Sequence, residues 1–159
     1  EGNYPYTTSC VTLPYGACSL GFNPKMINHI YGAAKIYDTR SGIDPLFPDS
    51  LLKNSELYKL GELGEEYGVT TQRRRTVNWL NLNKLIYAIN VSGVNILIIS
   101  KVDILEKIGV FKLYYDDIVV TYGNMNEMKE YITLKIGSEC PNVSSIKFSN
   151  NPYTSYTID

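Results

Sequence analysis

A single histidine and three cysteines, Cys10, Cys18 and Cys140, are all the imidazole and thiol ligands that this 159-residue chain offers, and no two cysteines stand in a C-x-x-C spacing. Neither a zinc site nor a disulfide framework is indicated, and a reducing cytoplasm fits best. Charge of one sign is missing too: 15 Lys+Arg against 16 Asp+Glu leaves a net charge of −1. No overall basic field draws the chain to nucleic acid or anionic lipid, so any phosphate it handles must be met by a local cluster. No apolar run approaches the ~18 residues needed to cross a bilayer. The start, Glu1-Gly2-Asn3-Tyr4-Pro5, is no signal peptide, so the Asn-Val-Ser sequons at Asn90 and Asn142 read as chance. A soluble, cytoplasmic protein is expected. Also absent are G-x-x-x-x-G-K-[ST], H-E-x-x-H and a glycine-rich dinucleotide fingerprint. The machinery for cleaving a triphosphate is therefore missing from this chain.

What is present is a globular composition, 44% hydrophobic and 19% charged, with room for one packed domain or a large piece of one. Residues 1–23 mix Gly, Pro, Tyr, Thr and Ser without a helical period and read as a long loop, an opening expected of a chain cut or split from something larger. Asn23-Pro24 followed by Met26, Ile27, Ile30 and Tyr31 predicts a short helix to about Ala33, and Lys35 to Arg40 a strand. Trp79, Leu82, Leu85, Ile86 and Ile89 predict a second helix capped at Gly93; Asn95 to Ser100 follows as a buried strand. A hairpin about Asp116-Asp117, a helix from Met125 to Ile136 ending at Gly137, and a strand over Val143 to Ser149 complete the pattern. The alternation predicts an α/β fold with a mixed, largely parallel sheet flanked by helices.

Two segments carry chemistry. In Gly68-Val69-Thr70-Thr71-Gln72-Arg73-Arg74-Arg75, three guanidiniums stand behind two hydroxyls in a glycine-opened loop. Guanidinium forks bind carboxylate or phosphate through paired hydrogen bonds. In an extended segment Arg73 and Arg75 face one ligand while Arg74 faces away. The same run also suits a solvated basic loop or a nucleic-acid patch. Ser100-Lys101-Val102-Asp103 sits at the C-terminal end of the buried strand, the edge at which open α/β sheets bind ligands. A carboxylate there accepts the N1 and 2-amino protons of guanine, a donor pair adenine lacks. A surface turn with Asp103 as helix N-cap is the plainer alternative. The hydroxyls of Tyr4 to Cys10 suit a phosphate or a turn, and His29, without a partner set, reads as structural.

Taken together and in this order, these segments resemble the C-terminal part of adenylosuccinate synthetase. The family's G-T-Y-P-[YF]-V-T-S-S is similar to Gly2 through Cys10, and its T-R-V-G-x-G-P-F-P-T-E to Thr39 through Asp49. Its G-x-T-T-G-R-R-R-R-x-x-W-L-D is similar to Gly68 through Asn81, its T-K-x-D to Ser100 through Asp103, and its purine-binding S-x-G-P loop to Ser149-Asn150-Asn151-Pro152. The resemblance implies that residues 1–159 form the C-terminal portion of such a domain, in a P-loop NTPase-like fold. It implies an enzyme that uses GTP and Mg²⁺ to phosphorylate the 6-oxygen of IMP and lets the aspartate amine displace the phosphate, giving adenylosuccinate in purine nucleotide biosynthesis.

By the same resemblance, Thr70, Thr71, Arg73 and Arg75 hold aspartate, and Thr8, Ser41 and Arg73 meet IMP. Arg75, Lys101, Asp103, Ser149, Asn150 and Asn151 hold GTP. No catalytic residue falls on this chain: the family's G-D-E-G-K-G loop, catalytic Asp, His general acid and Mg²⁺ ligands all precede it. The chain alone is therefore expected to be inactive until a missing N-terminal part or chain is supplied, and the complete enzyme to be a homodimer. Uncovered strand edges are expected to favour self-association. Departures stand at Gln72 for glycine, Thr76 for the fourth arginine and Asp44 for the last glycine of its turn, and the span from Tyr115 to Glu127 looks trimmed. Two other readings remain: a non-catalytic nucleotide-binding or interaction remnant of a split synthetase, and a viral-type relative acting on another purine nucleotide.

Overall fold

The computed structural model describes residues 13–41 and 55–157. Within them lie α1 (Leu13–Leu20), a 3-10 turn (Pro24–Met26), β1 (Tyr31–Lys35), β2 (Tyr37–Arg40) and α2 (Ser55–Leu63). Then come β3 (Thr76–Asn81), α3 (Leu82–Ser92), β4 (Ile96–Ser100), α4 (Val102–Ile108), β5 (Phe111–Tyr115), β6 (Ile118–Tyr122), α5 (Met125–Glu139) and β7 (Ser145–Phe148). Two sheets form. One is wholly parallel, in the order β1-β4-β7; the other runs β2-β3-β5-β6, antiparallel at both ends and parallel at its centre. Helices flank both, giving the mixed, largely parallel α/β architecture that the alternation predicts.

The predicted helix over residues 23–33 is overturned. Its start signal works, because Asn23 caps the turn by accepting from the Lys25 amide at 3.1 Å, but only three residues follow in 3-10 form. Asn95, far along the chain, then captures this backbone. Its Oδ1 accepts from the Ile30 amide at 2.9 Å and its Nδ2 donates to the Asn28 carbonyl at 2.8 Å. That lays Tyr31 through Lys35 alongside Ile96 through Ser100 as a parallel strand. Trp79 likewise belongs to β3, not to the helix, and packs buried opposite Tyr37; the helix begins at Leu82, capped by the Asn81 side chain. It ends as expected at Gly93, whose φ of 68° suits a residue without a β-carbon. Helix α5 runs past Gly137 to Glu139, where burial of Cys140 fixes the end. The Asp116-Asp117 hairpin holds, with φ of 51° and 59° in the mirror-image turn that fits strand twist.

The two sheets meet at Ile36, which is fully buried and donates its amide to the Ser100 carbonyl at 3.0 Å. Lys35 thus closes one sheet and Tyr37 opens the other, next to the end of β4. The third parallel strand finishes at the same level: the Ser149 amide donates to the Ile99 carbonyl at 2.8 Å and the Val102 amide to the Ser149 carbonyl at 3.2 Å. All chemistry-bearing segments that lie within the described residues gather at this end. Among the described residues no helix is long and apolar enough to cross a membrane.

Candidate functional site

Strand β4 delivers Ser100 to the sheet edge, and Lys101 then takes a left-handed backbone (φ 66°) that turns the chain sharply into α4. Such a conformation is costly for a side chain other than glycine and tends to persist where a site requires it. A cleft of about 580 Å³ opens there, lined by Ser100, Lys101, Asp103, Ile104, Asn150, Asn151 and Pro152. Four residues that the resemblance assigns to a guanine nucleotide, Lys101, Asp103, Asn150 and Asn151, therefore line one cleft. Asp103 pairs with Lys107 at 3.0 Å through Oδ2, which leaves Oδ1 for a ligand. Ser149 is not part of the lining. It is buried, and its hydroxyl faces the Asn151 and Thr154 carbonyls, so it shapes the loop from within.

The arginine loop is a closed turn. Gly68 and Arg73 bond backbone to backbone at 2.8 Å, as do Gln72 and Gly68, and the Thr71 hydroxyl accepts from the Arg73 amide at 3.4 Å. Thr70, Thr71 and Arg73 are exposed at its tip. Gln72, at the family's glycine position, has φ of 52° and steadies the strained turn by donating to the Val69 carbonyl at 3.1 Å. Arg74 and Arg75 turn to different partners. Arg74 turns to α2, lying 3.8 Å from the Tyr58 ring centroid and 3.2 Å from a Glu62 oxygen. Arg75 turns instead to Glu66, at 3.4 Å. Its Nε is sealed from solvent with no hydrogen-bond partner among the described residues.

Sequence reasoning missed the group that joins the two segments. Glu66, 3% exposed, accepts from Lys35 at 2.8 Å on both oxygens, from the Tyr37 hydroxyl at 2.8 Å and from Arg75. Lys35 also donates to Thr39 at 3.0 Å. Two residues before Glu66, the Gly64 carbonyl accepts from the Lys101 ammonium at 3.0 Å. The turn from Gly64 to Glu66 thus holds Lys101 of the cleft and Arg75 of the loop, while the arginines themselves stay outside the cleft's lining. Three cations gather about one buried carboxylate. Burial pushes the Glu66 carboxyl up, but the hydrogen bonds from Lys35 and Tyr37 outweigh it, and the net shift is downward. Burial lowers the Lys35 ammonium despite Glu66, and burial together with Glu66 raises the Tyr37 phenol, which also feels the charge of Asp103. The only sequence signal for this group was a Glu between glycine breaks.

Gly64 is required at this turn. A β-carbon there would collide with the Tyr37 hydroxyl and come within 3.0 Å of the Leu60 carbonyl, which is backbone and cannot move aside. Gly64→Ala is expected to lower stability by about 1–3 kcal/mol, as overpacking does, read as a fall in urea midpoint.

Asp38, on β2, makes a separate pH-dependent contribution. Burial raises its carboxyl to about 6, against the opposing pull of the Asn81 amide, which it accepts at 3.1 Å, and of Lys84. Between its ordinary value of 3.8 and about 6, the unfolded chain releases this proton while the folded chain keeps it, so stability falls as pH rises through that window. Asp38→Asn keeps an acceptor for the Asn81 amide. It is expected to remove that decline and raise stability at neutral pH by on the order of 2 kcal/mol, measured by denaturation across the window. Glu66 acts lower: its contribution is present above 4.5 and is lost as pH falls through its depressed folded value.

Ser41 follows Arg40, the last β2 residue in register, which pairs with Thr76; it is exposed at the same end of the β2–β3 pair as Arg75. Thr8 and Asp44 lie outside the described residues. His29 stands near the Tyr31 ring, at 6.5 Å between centroids. Among the described residues no group of three or more His, Cys, Asp or Glu gathers to hold a metal.

Comparison with known proteins gives the family and the fold. The adenylosuccinate synthetase family model matches residues 1–137. The chain is 41% identical over 112 residues to adenylosuccinate synthetase of Petrotoga mobilis, covering 70% of this chain and 26% of that protein. It is 42% identical over 127 residues to the Komagataella phaffii protein of the same name, covering 76% and 29%. The chain thus spans little more than a quarter of the length of these relatives. In fold it is similar to fully ligated adenylosuccinate synthetase from Plasmodium falciparum, with a TM-score of 0.77 at 22% identity over 99% of this chain and 46% of that one. It is also similar to the succinoaminodeoxyadenylate synthetase of cyanophage S-2L, bound to dGMP and dATP, with a TM-score of 0.61 at 17% identity over 98% and 41%. With more than half its length matched by the family model and a fold to agree, the chain belongs to the adenylosuccinate synthetase family.

Proposed function

We propose that this chain is the C-terminal portion of an adenylosuccinate synthetase-like domain and supplies its aspartate loop and guanine cleft for the GTP-dependent ligation of aspartate to IMP. The observation that carries this reading is the turn from Gly64 to Glu66, which binds Lys101 of the cleft and Arg75 of the arginine loop within three residues. In the proposed reaction the γ-phosphoryl group of GTP passes to the 6-oxygen of IMP, leaving GDP. The aspartate amine then attacks C6 and expels phosphate. This chain's own residues bind and orient. The guanidiniums of Arg73 and Arg75, with the hydroxyls of Thr70 and Thr71, take the two carboxylates of aspartate; fork donors in a partly dry setting suit a dianion. Asp103 reads the base, Lys101 lies along it, and the loop at Asn150 and Asn151 closes over it. Ser41 and Arg73 stand toward the IMP ribose, and Thr8 toward its phosphate. Mg²⁺ finds no cluster of three or more His, Cys, Asp or Glu among the described residues, and its ligands are proposed to come from the N-terminal part.

The test supplies the N-terminal part of a full-length family member together with IMP, GTP, aspartate and Mg²⁺, and follows adenylosuccinate absorbance. The expected result is aspartate-dependent product only when both parts are present. Activity from this chain alone would contradict the reading. Guanine nucleotide binding with no dependence on aspartate, even with the N-terminal part, would favour a drifting remnant instead, in line with Gln72 holding a glycine's conformation.

A further inference from the structure

The cleft's two walls, α4 and the loop 149–155, are held from behind by one buried amine that the proposed reaction does not use. Lys129 projects from α5 and its side chain is 5% exposed. Its Nζ donates to the Tyr156 hydroxyl at 2.8 Å and stands 5.0 Å from that ring's centroid and 5.8 Å from that of Phe148. On its other side it meets a Glu106 oxygen of α4 at 3.7 Å. Tyr156 is the closing residue of the loop. It exchanges two backbone hydrogen bonds with Phe148, at 2.6 and 2.8 Å, and so ties the end of the loop to the strand that begins it. Between these ends, Asn151 Oδ1 accepts from the Tyr153 and Thr154 amides at 2.9 Å each, which fixes the stretch that faces the cleft.

A buried ammonium whose ion pair among the described residues is as long as 3.7 Å is expensive to keep, and an aliphatic side chain would fill the space without that cost. Its geometry supplies the compensation: a single cation grips the aromatic latch of one wall and the acidic helix of the other. We infer that Lys129 is a positioning residue, which through Tyr156 and Glu106 sets the width of the cleft between Asp103 and Asn150–Pro152, and hence its grip on a purine base. The purine part rests on the functional reading above; the latch does not.

Amide hydrogen exchange at Phe148 and Tyr156, together with binding of a fluorescent guanosine diphosphate analogue, separates the two parts. In Lys129→Met both amides are expected to exchange about tenfold faster and the analogue to bind about tenfold more weakly, as for loss of one hydrogen bond to a charged group. Lys129→Arg is expected to restore both. Tyr156→Phe removes one oxygen from an exposed ring and tests the same contact if Lys129→Met does not fold, with an expected effect of about threefold in the same direction. Unchanged exchange in these variants overturns the latch whatever the nucleotide does. Faster exchange with undiminished binding overturns the positioning role. Faster exchange in a chain whose parent binds no guanine nucleotide supports the latch and counts against the functional reading of the cleft.

Discussion

Glu66→Leu is expected to lower the thermal midpoint of this chain by about 10 °C. Breaking a buried ion cluster by removing one partner costs about 3–5 kcal/mol, and each kcal/mol moves the midpoint of a domain this size by roughly 2–4 °C. The size follows from what is left behind. Lys35 would remain a half-buried ammonium beside Arg75 and Lys101 without the carboxylate it is hydrogen-bonded to, and the Tyr37 hydroxyl would lose its acceptor. Glu66→Gln keeps an acceptor for Tyr37 but not the charge, and is expected to fall between the two. Adding Lys35→Met to Glu66→Leu is expected to recover much of the loss, because two well-packed apolar residues avoid the desolvation that the pair must offset. A midpoint that does not move in Glu66→Leu would mean that the carboxylate is not the hub its geometry indicates. Scanning calorimetry of the three variants decides.

The other large effect is on base choice. Asp103 presents a carboxyl group whose Oδ2 meets Lys107, leaving Oδ1 and the second lone pair of Oδ2 as acceptors. Guanine offers two donors to it, N1–H and the 2-amino group. Asp103→Asn replaces one acceptor with an amide donor that points at the 2-amino donor, so two charge-assisted bonds become one neutral bond and one repulsion. Affinity for guanosine diphosphate is expected to fall about a hundredfold. Xanthosine diphosphate carries an oxygen in place of that amino group, so it should gain on the variant what guanosine diphosphate loses. Adenosine diphosphate should bind neither form well. Competition among the three nucleotides on parent and variant gives the result. Equal loss for all three would mean that Asp103 supports the cleft without reading the base.

The parts of this fold and site that were legible in the sequence are those written locally. Gly93 ends α3 because a helix C-cap is a matter of adjacent residues, and Asp116-Asp117 turns the hairpin because two short polar side chains tolerate left-handed backbone. The cleft was legible because Lys101 and Asp103 follow directly on an apolar strand. What was not legible depends on partners far apart in sequence. Residues 31–35 carry a helical spacing at their start, yet form a strand because Asn95 and β4, more than 60 residues on, offer it a full set of hydrogen bonds. Glu66 looked like one more charge among glycine breaks; only the crossing of the chain at Ile36 brings Lys35 and Tyr37 onto it. Ser149 enters through the resemblance of its loop to S-x-G-P, and the structure spends its hydroxyl on the loop's own carbonyls.

The most direct measurement is an amide-resolved magnetic resonance titration of this chain with guanosine diphosphate and then with aspartate. The account expects the nucleotide to shift Lys101, Asp103, Asn150 and Asn151 together, with a smaller response at Gly64 and Glu66 where the turn carries the contact toward Arg75. Shifts confined to other surfaces, or a response at the cleft with none along the turn that links it to the arginine loop, would contradict it.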